Sequence, residues 1–117
     1  MDYEYPVTVI RVKDGDSLIL KIDLGFKTFV EKDIRLFGID APEKRGKTKD
    51  AGIAAKKHLA YLLKKHAPIT IKTLKDKTGK YGRYLGILYG CVDKKKNQFI
   101  CINNSMVEDN HAVMRDY

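Results

Sequence analysis

Apolar and polar positions alternate with a period of two over most of the chain and change to a helical period in one stretch. Residues 7–12 (Val-Thr-Val-Ile-Arg-Val) are rich in β-branched side chains, and residues 16–24 continue in strand character after Lys13-Asp14-Gly15, which predicts an antiparallel hairpin. Gly15 is expected to supply the backbone freedom of its turn. A further strand is predicted over residues 27–39, interrupted by a turn or bulge where charge gathers at Glu31, Lys32 and Asp33. Its last part, Arg35-Leu36-Phe37-Gly38-Ile39-Asp40, alternates, and Ala41-Pro42 fixes the exit because proline holds the preceding residue out of the helical region. Glu43 follows just past this stiff corner.

Over residues 50–65, Ala51, Ala55, His58, Leu59 and Leu62 recur at three- and four-residue spacing, which predicts an amphipathic helix with lysines in its last turn, where the dipole favours cations. Gly52 inside that helix costs about 1 kcal/mol relative to alanine, and a close approach of helix to sheet would account for it. His58 lies on the apolar stripe and is expected as a packed imidazole. Pro68 restarts the chain into an alternating strand over residues 69–74. A turn over residues 76–82 with two glycines leads to a long strand over residues 83–92, and residues 98–102 close a hairpin around the lysine-rich loop 93–97. Asn103 suits the cap of a short helix over residues 104–109, and Asn110 the left-handed residue that ends it. The order is three strands, helix, two strands with a short closing strand, helix. It predicts a mainly β, α+β fold, a five-stranded Greek-key barrel with flanking helices of the OB type.

Composition narrows the functional classes. A length of 117 residues suits one domain over residues 1–117, and 44% hydrophobic with 32% charged residues is a globular composition. The formal charge of +8 makes polyanions the first partner class to consider. No apolar run approaches the length of a membrane span, and the first residues lack the basic flank and apolar core of a secretion signal. The expectation is a cytoplasmic monomer with no membrane partner, or a secreted protein if a signal has been removed. Cys91 and Cys101 lack metal-type spacing and are expected as buried thiols. Residues 44–49 (Lys-Arg-Gly-Lys-Thr-Lys) are expected to form a basic loop, read either as a solvated surface loop in the free protein or as a mobile electrostatic lip beside Glu43. Two carboxylates and an arginine at the end of one strand point to chemistry on a negatively charged substrate through a hard cation; the alternative is a surface strand ending in a polar turn.

Three motifs in order, Asp14-Gly15-Asp16-Ser17, Arg35-Leu36-Phe37-Gly38-Ile39-Asp40-Ala41-Pro42-Glu43 and Lys80-Tyr81-Gly82-Arg83, closely resemble the signatures of the staphylococcal-nuclease-like (thermonuclease) family. The resemblance runs from about residue 7 to residue 112. It implies a calcium-dependent endonuclease that cleaves DNA and RNA with little sequence preference, breaking the bond between phosphorus and the 5′-oxygen and leaving a 3′-phosphate. It implies that Asp16, Asp40 and the backbone carbonyl of Ala41 bind one Ca2+, with Asp14 nearby acting through bridging water. Hard oxygen ligands are what that ion prefers. By the same comparison Glu43 is the general base, and Arg35 and Arg83 clamp the phosphate with planar, permanently charged guanidinium groups. Lys80 and Tyr81 match residues that contact a terminal nucleotide phosphate, Tyr81 having packing as its alternative role. The chain departs from the family at Gly79, where the best-known member is acidic, at Asn110, where glycine is usual, and in stopping after Tyr117 without the third helix of the secreted prototypes. Repeats of this fold that have lost the acidic residues serve as non-catalytic RNA- or protein-binding modules, which is the competing expectation.

Overall fold

The computed structural model describes residues 3–78 and 84–115. Strands β1 (Tyr3–Asp14), β2 (Ser17–Asp23) and β3 (Phe29–Leu36) form an antiparallel meander; after helix α1 (Lys49–Lys65) come β5 (Ile69–Thr78), β6 (Tyr84–Asp93) and β7 (Gln98–Cys101). A two-residue β4 (Ile39–Asp40) precedes α1, and helix α2 (Ile102–Glu108) with a short β8 (Val113–Met114) ends the described chain. β1 pairs with both β2 and β5, and β5 with β6. β3 then pairs in parallel with β6, Ile34 opposite Tyr84 and Leu36 opposite Gly86. That pairing closes β1, β2, β3, β6 and β5 into the expected five-stranded barrel, and β7 extends β6 outside it. Closure removes the free edges that an open sheet of this size would expose.

The barrel is filled by the alternation read from the sequence. Leu18, Leu20 and Ile22 of β2 and Ile34 and Leu36 of β3 point inward and are buried, while Ile19, Lys21 and Asp23 take the other face. Ala55, Leu59, Leu62 and Leu63 of α1 and Ile102 and Met106 of α2 join the same cluster. β3 is continuous, so the expected interruption at residues 31–33 is absent. Glu31 and Asp33 occupy alternate positions opposite Lys21 and Ile19, and a strand with one polar face needs no break there.

Several expectations are corrected by packing. Gly15 has no left-handed backbone; a Cβ there would lie 2.7 Å from the Cβ atoms of both Ala41 and Ala55, so the glycine provides space rather than freedom. At Gly52 a Cβ would strike the backbone of Glu43 and Lys44, so α1 approaches that loop rather than the sheet. Asn103 does not cap α2, which starts from Cys101; its buried side chain accepts from Leu88 N–H at 3.0 Å and donates to Phe37 O at 2.9 Å and Gly86 O at 3.2 Å. His58 is half-buried rather than in the core, and its Nε2 lies 2.7 Å from Asp109 Oδ2 while its ring stacks on His111. Cys91 and Cys101 are half-buried free thiols. Asn110 takes the expected left-handed conformation at the end of α2, with φ of 64°.

Candidate active site

The β1–β2 turn, the end of β3 with β4, and the loop entering α1 meet in one open cleft of about 790 Å³, with Arg115 contributed by the chain after β8. The small residues explain the meeting. Gly15 lets the Asp14-Gly15-Asp16 turn sit on Ala41 and Ala55, and Leu36 N–H donates to the Asp16 carbonyl at 2.8 Å. Gly52 lets α1 press on the Glu43 carbonyl, which also accepts from Thr48 Oγ1 at 2.7 Å. Gly38, with φ of 82°, turns the chain between β3 and β4, and Asn103 holds that corner through Phe37 O.

Asp14, Asp16, Arg35, Asp40, Ala41 and Glu43 all line this cleft, so the structure brings together six of the residues singled out in the sequence. Lys80, Tyr81 and Arg83 lie outside the described residues. Arg35 is buried, donates from Nη1 to Leu36 O at 3.0 Å, and has Nη1 3.4 Å from Asp16 Oδ2; its Nη2 donates to Asp40 Oδ1. Asp16 Oδ2 also accepts from Ala41 N–H at 2.8 Å. One guanidinium thus joins both expected metal-binding carboxylates. Glu43 is exposed at the mouth, its backbone fixed and its carboxylate in water.

Burial pushes the Asp16 carboxyl above its ordinary value. The Ala41 N–H and the Arg35 guanidinium act in the other direction, while the like charges of Asp14 and Asp40 raise it further. A carboxylate desolvated beside two others is one that a cation would relieve, and the donors are hard oxygens, so the set fits a Ca2+-type ion. Among the described residues no three carboxylate, imidazole or thiol side chains form a metal-holding group. With two carboxylates and one carbonyl from the protein, water and substrate oxygen would complete the shell.

The basic loop beside Glu43 lies at the surface, exposed over residues 45–49, and carries local structure of its own. Residues Gly46–Thr48 form a 3₁₀ turn, Thr48 Oγ1 also donates to Arg45 O at 3.2 Å, and Lys44 Nζ lies 3.5 Å from Asp14 Oδ1. Sequence inspection missed three cleft cations. Arg115 reaches Asp40 Oδ1 at 3.2 Å because its N–H donates to Gly38 O and β8 pairs with β4. Lys13 meets Asp33 at 2.6 Å, and Arg11 lines the cleft on the same strand. The alternation Arg11-Val12-Lys13 was a signal for a shared polar face; nothing local marked Arg115.

A closed barrel with an acidic pair, a buried arginine and a basic rim in one cleft defines a nuclease-like protein of the OB type. The chain matches the family model of staphylococcal nuclease homologues over residues 33–117, and it belongs to that family. The Asp14-Gly15-Asp16 motif precedes the matched segment. No curated protein matches the chain.

Proposed function

We propose that the protein is a calcium-dependent endonuclease acting on DNA and RNA with little sequence preference. The observation that carries this is the convergence of Asp16, Arg35, Asp40 and Glu43 in one cleft from separate parts of the chain. A barrel used only as scaffold has no need to bury an arginine between two carboxylates, given the desolvation such charges cost.

The residues divide the work by chemistry. Asp16, Asp40 and the Ala41 carbonyl would hold Ca2+, which supplies Lewis-acid stabilisation to a phosphodiester. Arg35, already held by Leu36 O, presents donors to phosphoryl oxygens as they gain charge, and Arg83 is proposed as the second guanidinium. Glu43 takes a proton from the attacking water, whose oxygen forms the new bond to phosphorus. The bond from phosphorus to the 5′-oxygen breaks, that oxygen leaves as a hydroxyl after taking a proton from solvent, and the phosphate stays on the 3′ side. Arg115 approaches the same carboxylate as Arg35 and would add positive charge where the phosphate sits.

One observation favours a binding module instead: Asp40 is already paired with Arg35 and Arg115 inside the chain, so its charge is matched without an ion. Incubation with plasmid and single-stranded DNA decides between them. The nuclease should cleave with calcium, stay silent in EGTA and leave 3′-phosphate ends. Binding without cleavage at any alkaline pH in calcium would establish the module.

A further inference from the structure

β7 is the end strand of the sheet: it pairs with β6 on one side and, among the described residues, with no strand on the other. An end strand offers a row of backbone donors and acceptors to another extended chain, and charge or proline within the strand is the usual protection. β7, Gln98-Phe99-Ile100-Cys101, has neither. Register sets Phe99 beside Cys91 and Cys101 beside Tyr89, so one face of this edge is a block of two rings and two thiols. Within it Phe99 keeps 61% of its surface in solvent, while Tyr89, Cys91 and Cys101 are half-buried.

The loop that leads into β7 adds charge at one end. Asp93 Oδ1 accepts from Lys95 N–H at 2.9 Å and Lys96 N–H at 3.3 Å, Asn97 N–H donates to Lys94 O at 3.3 Å, and Asn97 is left-handed with φ of 55°. These bonds hold the turn, and Lys94, Lys95 and Lys96 are exposed on it. None of the three forms an ion pair among the described residues. Neither the loop nor β7 lines the cleft.

These features select among occupants. The spacing of backbone groups along a strand edge is matched by another strand, and by neither a lipid surface nor a nucleic-acid backbone. A second copy paired antiparallel through its own β7 would bring the first turn of its α2 to the lysines, and that turn has no acidic residue. The lysines call for an acidic partner and Phe99 for an apolar one. We propose that β7 takes up an extended acidic peptide of a partner protein as an added antiparallel strand. Alternate apolar side chains of the peptide cover Phe99, and acidic residues after them meet Lys94, Lys95 and Lys96. The acids lie on the carboxy-terminal side because the loop precedes β7 and the added strand runs the other way. The site is separate from the cleft and does not depend on what the cleft does.

Anisotropy of a labelled peptide with the whole chain tests the proposal, using alternating valine and threonine over about six residues, a typical strand length, ending in a run of glutamates. This peptide should bind, and moving the glutamates to its amino end should weaken it. Methylating every second backbone amide should abolish binding in one phase and spare it in the other, because only one edge of the peptide pairs when its valines face Phe99. Phe99→Ala should lower the affinity by about threefold to tenfold, the effect of losing an aromatic contact. Changing Lys94→Glu, Lys95→Glu and Lys96→Glu together should lower it by about tenfold, as expected for a few surface ion pairs, and a peptide ending in lysines should then bind in place of the glutamate one. All four side chains are exposed, so circular dichroism of the variants should match the parent. No binding of the glutamate peptide, equal affinity for the two methylated phases or for the two peptide orders, or a dimer in sedimentation that excludes the peptide would overturn the added strand. So would complete displacement of the peptide by single-stranded DNA or by vesicles of phosphatidylserine and phosphatidylcholine.

Discussion

At the scale of single residues, Glu43 is the sharpest test of the chemistry. Its backbone is held by Thr48 and by the close approach of Gly52, while its carboxylate stays exposed at the cleft mouth. Glu43→Gln keeps shape and hydrogen bonding but cannot take a proton. Single-turnover cleavage should therefore fall by about 10² to 10⁴, the range for a general base, with oligonucleotide binding retained; an undiminished rate would remove Glu43 from the reaction. Most of this site was legible because Arg35, Asp40, Ala41 and Glu43 sit within nine consecutive residues, where strand alternation and Pro42 determine how they project. Arg115 was not, since its place depends on a two-residue pairing between β4 and β8 that leaves no periodic trace. His58 misled for a related reason. Helical spacing put it on the apolar stripe, but the turn after α2 supplies Asp109 and His111 at that point, so a polar partner competes with burial.

Among elements, the connection between α2 and the barrel controls the corner from which Asp40 projects. Asn103 makes that connection with one side chain, satisfying Leu88 N–H on β6 and the carbonyls of Phe37 and Gly86. Asn103→Ala would strand a buried donor and two carbonyls, a loss of about 3 kcal/mol, and should lower the Tm by on the order of 10 °C. Asn103→Asp keeps an acceptor for Leu88 but loses both donated bonds, so it should also fall below the parent. Thermal unfolding measures both, and a Tm for Asn103→Ala within about 2 °C of the parent would show that the clamp contributes little. Sequence patterning identified the strands, α1 and the barrel because the inward positions repeat at regular intervals. It misassigned Asn103 as a cap, since capping is a local preference and the partners here are 15 or more residues away. The glycines were recognisable as special. Gly15 and Gly52, however, are small because of what lies opposite, which only the folded chain shows.

For the whole molecule, the charge of +8 is not concentrated in the described part of the cleft. Among the described residues its lining holds six cations, Arg11, Lys13, Arg35, Lys44, Arg45 and Arg115, against the five carboxylates of Asp14, Asp16, Asp33, Asp40 and Glu43. Four of those cations stand within 4.0 Å of a cleft carboxylate, so much of their attraction for phosphate is already spent inside the protein. A divalent ion held by Asp16 and Asp40 would shift that balance by two charges and leave Arg35 and Arg115 more available to a polyanion. Calcium should accordingly raise the affinity of the Glu43→Gln protein for a single strand by about tenfold or more, from two charges acting near 4 Å in a largely aqueous cleft. The same titrations, repeated from low to moderate salt, should give a slope of log K against log salt near −3, as expected for about four neutralised phosphates on a single strand. Magnesium, which accepts irregular carboxylate and carbonyl shells less readily, should reproduce the effect less well at equal concentration. An affinity indifferent to calcium would mean that the arginines, rather than an ion, are the permanent partners of Asp16 and Asp40, and that the cleft binds phosphate only through its rim.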